Sequence, residues 1–133
     1  MNKIMDFLNP YEDRLLGVLR IASGLLFLQH GTTKYLGVPV TRFSDASPMT
    51  MGGAAGVIEL VGGILLVLGL FTRPVAFIMS GTMAVAYFLA HAPKAFYPIL
   101  NGGELAALYC FVFLFIAAAG SGAWSLDKRM GRE

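Results

Sequence analysis

One cysteine in 133 residues leaves no internal disulfide and no Cys-x-x-Cys redox centre, because each needs a second thiol. That cysteine, Cys110, stands among Leu108, Phe111 and Phe113. Any redox chemistry must therefore come through a bound cofactor, a substrate or a partner protein. Charge is also scarce. Asp, Glu, Lys and Arg make up 14% of the chain, against about 25% in a soluble domain. A net charge of +2, with no basic stripe and no RNA-binding motif, excludes nucleic acid as a partner. Histidine occurs twice, as His30 and His91. With Glu59 and Glu104 they would make a mixed nitrogen–oxygen ligand set, and two histidines on facing helices could hold a haem. Neither lies in an HExxH or Glu-x-x-His spacing, and no haem-attachment motif exists, so no metal or haem is predicted. The first fourteen residues carry Asp6, Glu12 and Asp13 and lack a small-residue cleavage site, which predicts that the first apolar span stays in the mature chain.

What the chain has is apolar length. Hydrophobic residues make up 56% of it and the mean hydropathy is +0.68. The fold class expected is all-α and integral to a membrane: one domain, residues 1–133, with four spans at about 15–35, 51–71, 74–92 and 103–119 and a tail at 120–133. Each span approaches the roughly 20 residues that cross a 30 Å hydrocarbon core. Asn9-Pro10-Tyr11-Glu12 reads as the first helix start, with Asn9 as N-cap and Glu12 closing a capping box. Asn101-Gly102-Gly103-Glu104 reads as a second. Thr72-Arg73 reads as the tight turn between the second and third spans.

Lys3, Arg14, Arg73, Lys128, Arg129 and Arg132 fall on one side of these spans, and Arg42 and Lys94 on the other, with Lys34 at the border. The positive-inside rule then puts both termini and the Thr72-Arg73 turn in the cytoplasm of a multi-pass plasma-membrane protein. The two outer loops, about 36–50 and 92–101, would cover the bundle mouth. Gly52, Gly56 and Gly63 share a face with Glu59, and Gly24 and Gly31 line a similar face of the first span; small residues so spaced let membrane helices approach closely.

Several ionisable groups interrupt these spans. A charge in hydrocarbon costs at least about 2.5–3.5 kcal/mol, so such groups face a protein interior and tend to act there. His30, Lys34, Glu59, His91 and Glu104 all fall in the outer half. Two carboxylates, two imidazoles and an ammonium in apolar surroundings are the ingredients of proton transfer. Glu59 is placed deepest, suited to exchange a proton with a quinol hydroxyl or a transported acid, with His30 or His91 as relay. Glu59–Lys34 and Glu104–His91 can equally be neutralised pairs that fix helix packing. The candidate catalytic groups are therefore Glu59, His30, Lys34 and His91; the candidate ligand-binding groups are His30, Glu59, His91, Glu104 and Asn101. Arg20 is different, lying near the inner end of the first span. It could snorkel to the interface, and Asp127 is the only carboxylate near it after the last helix. A structural Arg20–Asp127 contact that locks the tail under the bundle is expected.

Arg20 and Gly24, His30-Gly31 and Lys34, Glu59-Leu60-Val61-Gly62-Gly63 running into Leu68-Gly69-Leu70-Phe71-Thr72-Arg73, His91, Asn101-Gly102-Gly103-Glu104, Gly120-Ser121-Gly122 and Ser125-Leu126-Asp127 together resemble the DoxX family of bacterial inner-membrane proteins. The resemblance covers roughly residues 14–127. Ser121 departs from the proline frequent in the family's Gly-Pro-Gly turn. The resemblance implies a four-helix membrane bundle and a link to redox metabolism, since relatives include the membrane subunit of a thiosulfate:quinone oxidoreductase and others associate with complexes handling thiols and oxidative stress. The leading expectation is a quinone-linked redox subunit working with a soluble or membrane partner. A proton-coupled transporter, dimerised through Gly52 and Gly56 as a homo-oligomer, is the first alternative. A scaffold or assembly factor without chemistry of its own is the second.

Overall fold

The computed structural model describes residues 2–44, 47 and 49–133. Residues 45, 46 and 48 of the expected mouth-covering loop lie outside the described residues. Every regular element among the described residues is helical: α1 (Glu12–Leu36), α2 (Met51–Leu68), α3 (Thr72–Ala86), α4 (Pro98–Asn101), α5 (Glu104–Ala119) and α6 (Leu126–Arg129). Three helical stretches are long and apolar enough to cross a membrane, Asp6–Leu36, Met51–Leu68 and Thr72–Lys94. The apolar helix α5 has 16 residues, about 24 Å at 1.5 Å per residue and short of a 30 Å core on its own.

The helix ends differ from the sequence expectation in three places, each for a backbone reason. A 3-10 stretch, Asp6–Tyr11, runs directly into α1, so Asn9 and Pro10 lie inside it. Tyr11 occupies the N-cap position with no side-chain bond. The Asn9 carbonyl already accepts the Glu12 N–H, and the capping box is not needed. Between α2 and α3 the turn is Gly69–Phe71, not Thr72-Arg73. Gly69 (φ 69°) and Phe71 (φ 52°) take left-handed conformations, and α3 starts at Thr72 because a carboxylate from the tail caps it, as described below. Finally, Asn101 ends α4 instead of opening α5, whose N-cap is Gly103 with no side-chain cap. Asn101 Oδ1 accepts the Gly103 N–H at 2.7 Å, so the capping box with Glu104 is absent. Past Ala86, α3 continues as a π-helical turn, Tyr87–His91, and a 3-10 turn, Ala92–Lys94.

Helix α1 packs along α2 and α3 along α5; α2 and α3 meet less, and α1 and α5 less still. The α1–α2 seam is built on glycine. A methyl group on Gly31 would sit 2.5 Å from the Leu60 nitrogen, and one on Gly63 2.8 Å from Leu28 Cβ. Gly56 abuts the stems of Lys34 and Tyr35, whereas Gly52 faces open space. Gly56 is thus spent within the chain, and of the pair expected to mediate dimerisation only Gly52 is unused. The two helix pairs join through Phe27, fully buried, which sits edge-on to Tyr109 (5.7 Å) and Phe113 (5.1 Å). Leu66, Ala76, Met79, Met83, Ala106 and Ile116 complete this core.

Candidate functional site

At the end of the bundle where α1 finishes, Lys34 Nζ donates to Glu59 Oε1 at 2.9 Å. Both side chains are withdrawn from the surface, 12% and 6% exposed. The seam explains why. Gly31 and Gly56 bring the α1 and α2 backbones close enough for the Lys34 stem to lie over α2 and reach a carboxylate one turn deeper. Burying two charges is costly, and their attraction offsets this only when the remaining polar atoms also find partners. Here they do not: Glu59 Oε2 is buried with no hydrogen-bond partner. Around the pair, Tyr35 Oη donates to the Gly53 carbonyl. Thr33 Oγ1 donates to the Pro39 carbonyl and lies 2.8 Å from Thr41 Oγ1, pinning the chain after α1 back onto it. His30, four residues before Lys34 and so on the same side of α1, is half-buried and makes no side-chain hydrogen bond among the described residues.

The other expected members of the cluster sit on the other helix pair. His91 closes the π turn of α3, and its Nδ1 lies 3.1 Å from the Asn101 carbonyl. A carbonyl only accepts, so Nδ1 carries the proton and Nε2 is left as the basic nitrogen. Asn101, 2% exposed, donates through Nδ2 to Tyr87 Oη and the Ala95 carbonyl. Its polar atoms are satisfied within the protein, which makes it a fixing residue for the α3–α5 connection. Glu104 is exposed and forms no pair with His91. It lines instead an open cleft of about 380 Å³ with Pro98, Ile99, Gly102, Leu105 and Leu108. No hydrogen bond or ion pair among the described residues joins His91 or Glu104 to Glu59. The single five-member cluster is thus two clusters, because α1 pairs with α2 and α3 with α5.

The opposite end carries a second buried charge in a different setting. Arg20 is 0% exposed. It does not snorkel and does not pair with Asp127. Its Nη1 donates to the Ser121 carbonyl at 2.7 Å and, more weakly, to Ala123 at 3.4 Å; its Nη2 donates to Trp124 at 2.9 Å. The tail wraps so that backbone carbonyls, not a carboxylate, meet the guanidinium. Asp127 has another task. It accepts the Phe71 and Thr72 N–H groups at 2.9 and 2.8 Å, capping α3. Burial pushes the Asp127 carboxyl up, but the hydrogen bonds from Thr72 and Phe71 and the nearby Arg132 outweigh it and hold the group below its usual range. Further ties run from the Asp127 N–H to the Gly69 carbonyl and from the Ala123 N–H to the Asp13 carbonyl, both 2.9 Å, with an exposed Lys128–Asp13 ion pair. Ser121, the departure from the glycine-proline-glycine pattern, donates its N–H to Glu133 at 2.8 Å, a bond proline cannot make.

Residues 15–92 match the DoxX family. The chain belongs to the DoxX family. A protein of Haemophilus influenzae named only as uncharacterized is 46% identical over 97% of this chain and its own full length. The inner membrane protein YphA of Escherichia coli is 35% identical over 86% of this chain and 89% of its own. The putative oxidoreductase CatD of Bacillus subtilis is 31% identical over 83% and 82%. No solved structure matches the chain.

In this DoxX protein, a membrane protein by its relatives' names and its apolar helices, three buried side-chain atoms lack a partner among the described residues, Arg20 Nε, Thr72 Oγ1 and Glu59 Oε2, and of these only Glu59 Oε2 belongs to an acid. Its Oε2 can accept a hydrogen bond or a proton, and Lys34 keeps two further N–H donors beside it. Tyr35, Tyr87 and the backbone cage around Arg20 escaped the sequence reading. Tyr87 stands four residues before His91, a helical spacing that signals a shared face. The Gly120-Ser121-Gly122 run, poor in side chain, signals carbonyls open to a donor. Two open clefts, one at Glu104 and one lined by Val67, Leu68, Trp124, Ser125, Leu126 and Arg129, do not include Glu59 in their lining.

Proposed function

We propose that this protein is the membrane subunit of a quinone-linked redox system in the bacterial inner membrane. Its four apolar helices cross the bilayer with both termini on the cytoplasmic side, and Glu59 exchanges protons at the outer end. The observation that carries the reading is the buried Glu59–Lys34 pair with Oε2 left bare. A packing-only pair gains nothing by burying an acceptor without a donor. A ligand hydroxyl placed there would complete the shell. A quinone headgroup supplies the two-electron, two-proton chemistry that a chain with one cysteine lacks. Reduction of the quinone takes up two protons: a proton passed along α1 by His30 reaches Glu59 and goes on to a quinone oxygen, and Lys34 balances the carboxylate charge left behind. The second cluster gives His91 a basic Nε2 at the same end, suited to a second relay. A partner protein supplies electrons, consistent with a relative named as a putative oxidoreductase.

The test is organic extraction of detergent-purified protein followed by mass spectrometry. Near-stoichiometric quinone is expected in the native chain and in Gly52→Ala, which alters only open surface. In the double variant Lys34→Met/Glu59→Leu quinone is expected to be lost. Equal quinone in the double variant removes Glu59 from the site.

A further inference from the structure

Resting on that reading, we infer that the Glu59 site selects its ligand by redox state, holding the hydroquinol in preference to the oxidised quinone. The two forms differ at the oxygen: the hydroquinol offers O–H donors, the quinone only carbonyl acceptors. In the ion pair with Lys34 the Glu59 carboxylate can accept but not give a hydrogen. Lys34 already serves Oε1, so the acceptor left open is Oε2. A hydroquinol hydroxyl fills that vacancy with a charge-assisted bond. A quinone leaves Oε2 as bare as no ligand does and sets a carbonyl dipole against a carboxylate.

The neighbouring groups do not cancel this bias. The Tyr35 and Thr33 hydroxyl hydrogens are given to the Gly53 and Pro39 carbonyls, so neither is available to a quinone oxygen. Lys34 can donate to an oxygen of either form, whereas a neutral His30 can donate to either and accept only from the hydroquinol. A site with a buried, unpaired acceptor rejects analogues lacking the matching hydrogen. Preference for the reduced form raises the midpoint potential of the bound couple above that of the free couple.

The experiment is calorimetric titration of the purified full chain with a short-chain ubiquinone analogue, oxidised in one arm and anaerobically reduced in the other. The hydroquinol is expected to bind at least tenfold more tightly, which corresponds to about 30 mV for a two-electron couple. The dimethyl ether of the hydroquinol, similar in shape but without O–H, is expected to bind as weakly as the quinone. Glu59→Gln, whose amide can donate to a carbonyl, is expected to lose or reverse the preference. Equal or tighter binding of the oxidised form by the native chain overturns the inference while leaving the quinone site standing, and so does an ether as tight as the hydroquinol. Binding of neither form overturns the quinone reading itself. The ether comparison uses the native chain alone and stands even if Glu59→Gln fails to fold.

Discussion

The two ends of the bundle bury a charge each and solve the problem in opposite ways. Arg20 is sealed under a tail whose carbonyls at Ser121, Ala123 and Trp124 take its protons. Glu59 has a formal counter-charge in Lys34, yet one of its oxygens is left without a donor. Each end leaves one buried polar atom without a partner, Arg20 Nε and Glu59 Oε2; they differ in kind, since Nε is a donor on a group that keeps its proton and Oε2 an acceptor on a group that can take one. Arg20 keeps its proton whatever surrounds it, and its bonds to backbone carbonyls make it structural. A charge whose partner is another titratable side chain, with a lone pair to spare, can work.

The sharpest break of this contrast is Arg20→Leu. Removing the guanidinium strips the donors from the Ser121 and Trp124 carbonyls and frees the tail that carries Asp127, at a cost of roughly 3–5 kcal/mol. Thermal unfolding in detergent should show a large loss, and Arg20→Lys should not restore it, because one ammonium cannot reproduce the planar fork. At the other end, Lys34→Met alone leaves Glu59 uncompensated and should cost about 3 kcal/mol or more, while the double variant Lys34→Met/Glu59→Leu should be at least as stable as the native chain. A double variant as unstable as the single one would make the pair a packing device like the Arg20 cage. The seam glycines come next. Gly31→Ala or Gly63→Ala forces a methyl into the facing helix and should cost about 1–3 kcal/mol, against no measurable change for Gly52→Ala.

Three of the four expected spans correspond to helical stretches long and apolar enough to cross a membrane, and they were legible because a run of about twenty apolar residues has few other uses. The Lys34–Glu59 contact was legible because a lone buried charge needs an opposite one at its own depth. Which helices pair was not legible. Depth along a helix follows from counting residues, but lateral order is set by packing, and nothing in the spacing of His91 or Glu104 says that α3 keeps to α5 and away from α1. For Arg20, Asp127 is the first carboxylate the sequence offers after the last span, whereas the turn Gly120-Ser121-Gly122 offers backbone carbonyls, which carry no side-chain signature. The α2–α3 turn is hidden in a similar way. Thr72 and Arg73 look like a polar linker until a remote residue caps their N–H groups, and a cap contributed by residue 127 leaves no mark near residue 72.

That cap makes the smallest and most specific prediction, and it concerns pH. Asp127 is held below its usual range in the folded protein, so folding favours its ionised form. The stabilisation it contributes is therefore present above the unfolded-chain value near 3.8 and lost as pH falls through the lower folded-state value. Asp127→Asn keeps one acceptor for the Phe71 and Thr72 N–H groups but no charge, and should cost about 1 kcal/mol at neutral pH. Unfolding temperatures measured from pH 7 down to pH 3 should keep a constant gap until about pH 3.8 and draw together below it, because protonating the native carboxyl removes the same charge that the substitution does. A gap that stays constant over that range would mean the carboxylate charge contributes nothing, and that Asp127 acts on α3 by shape alone.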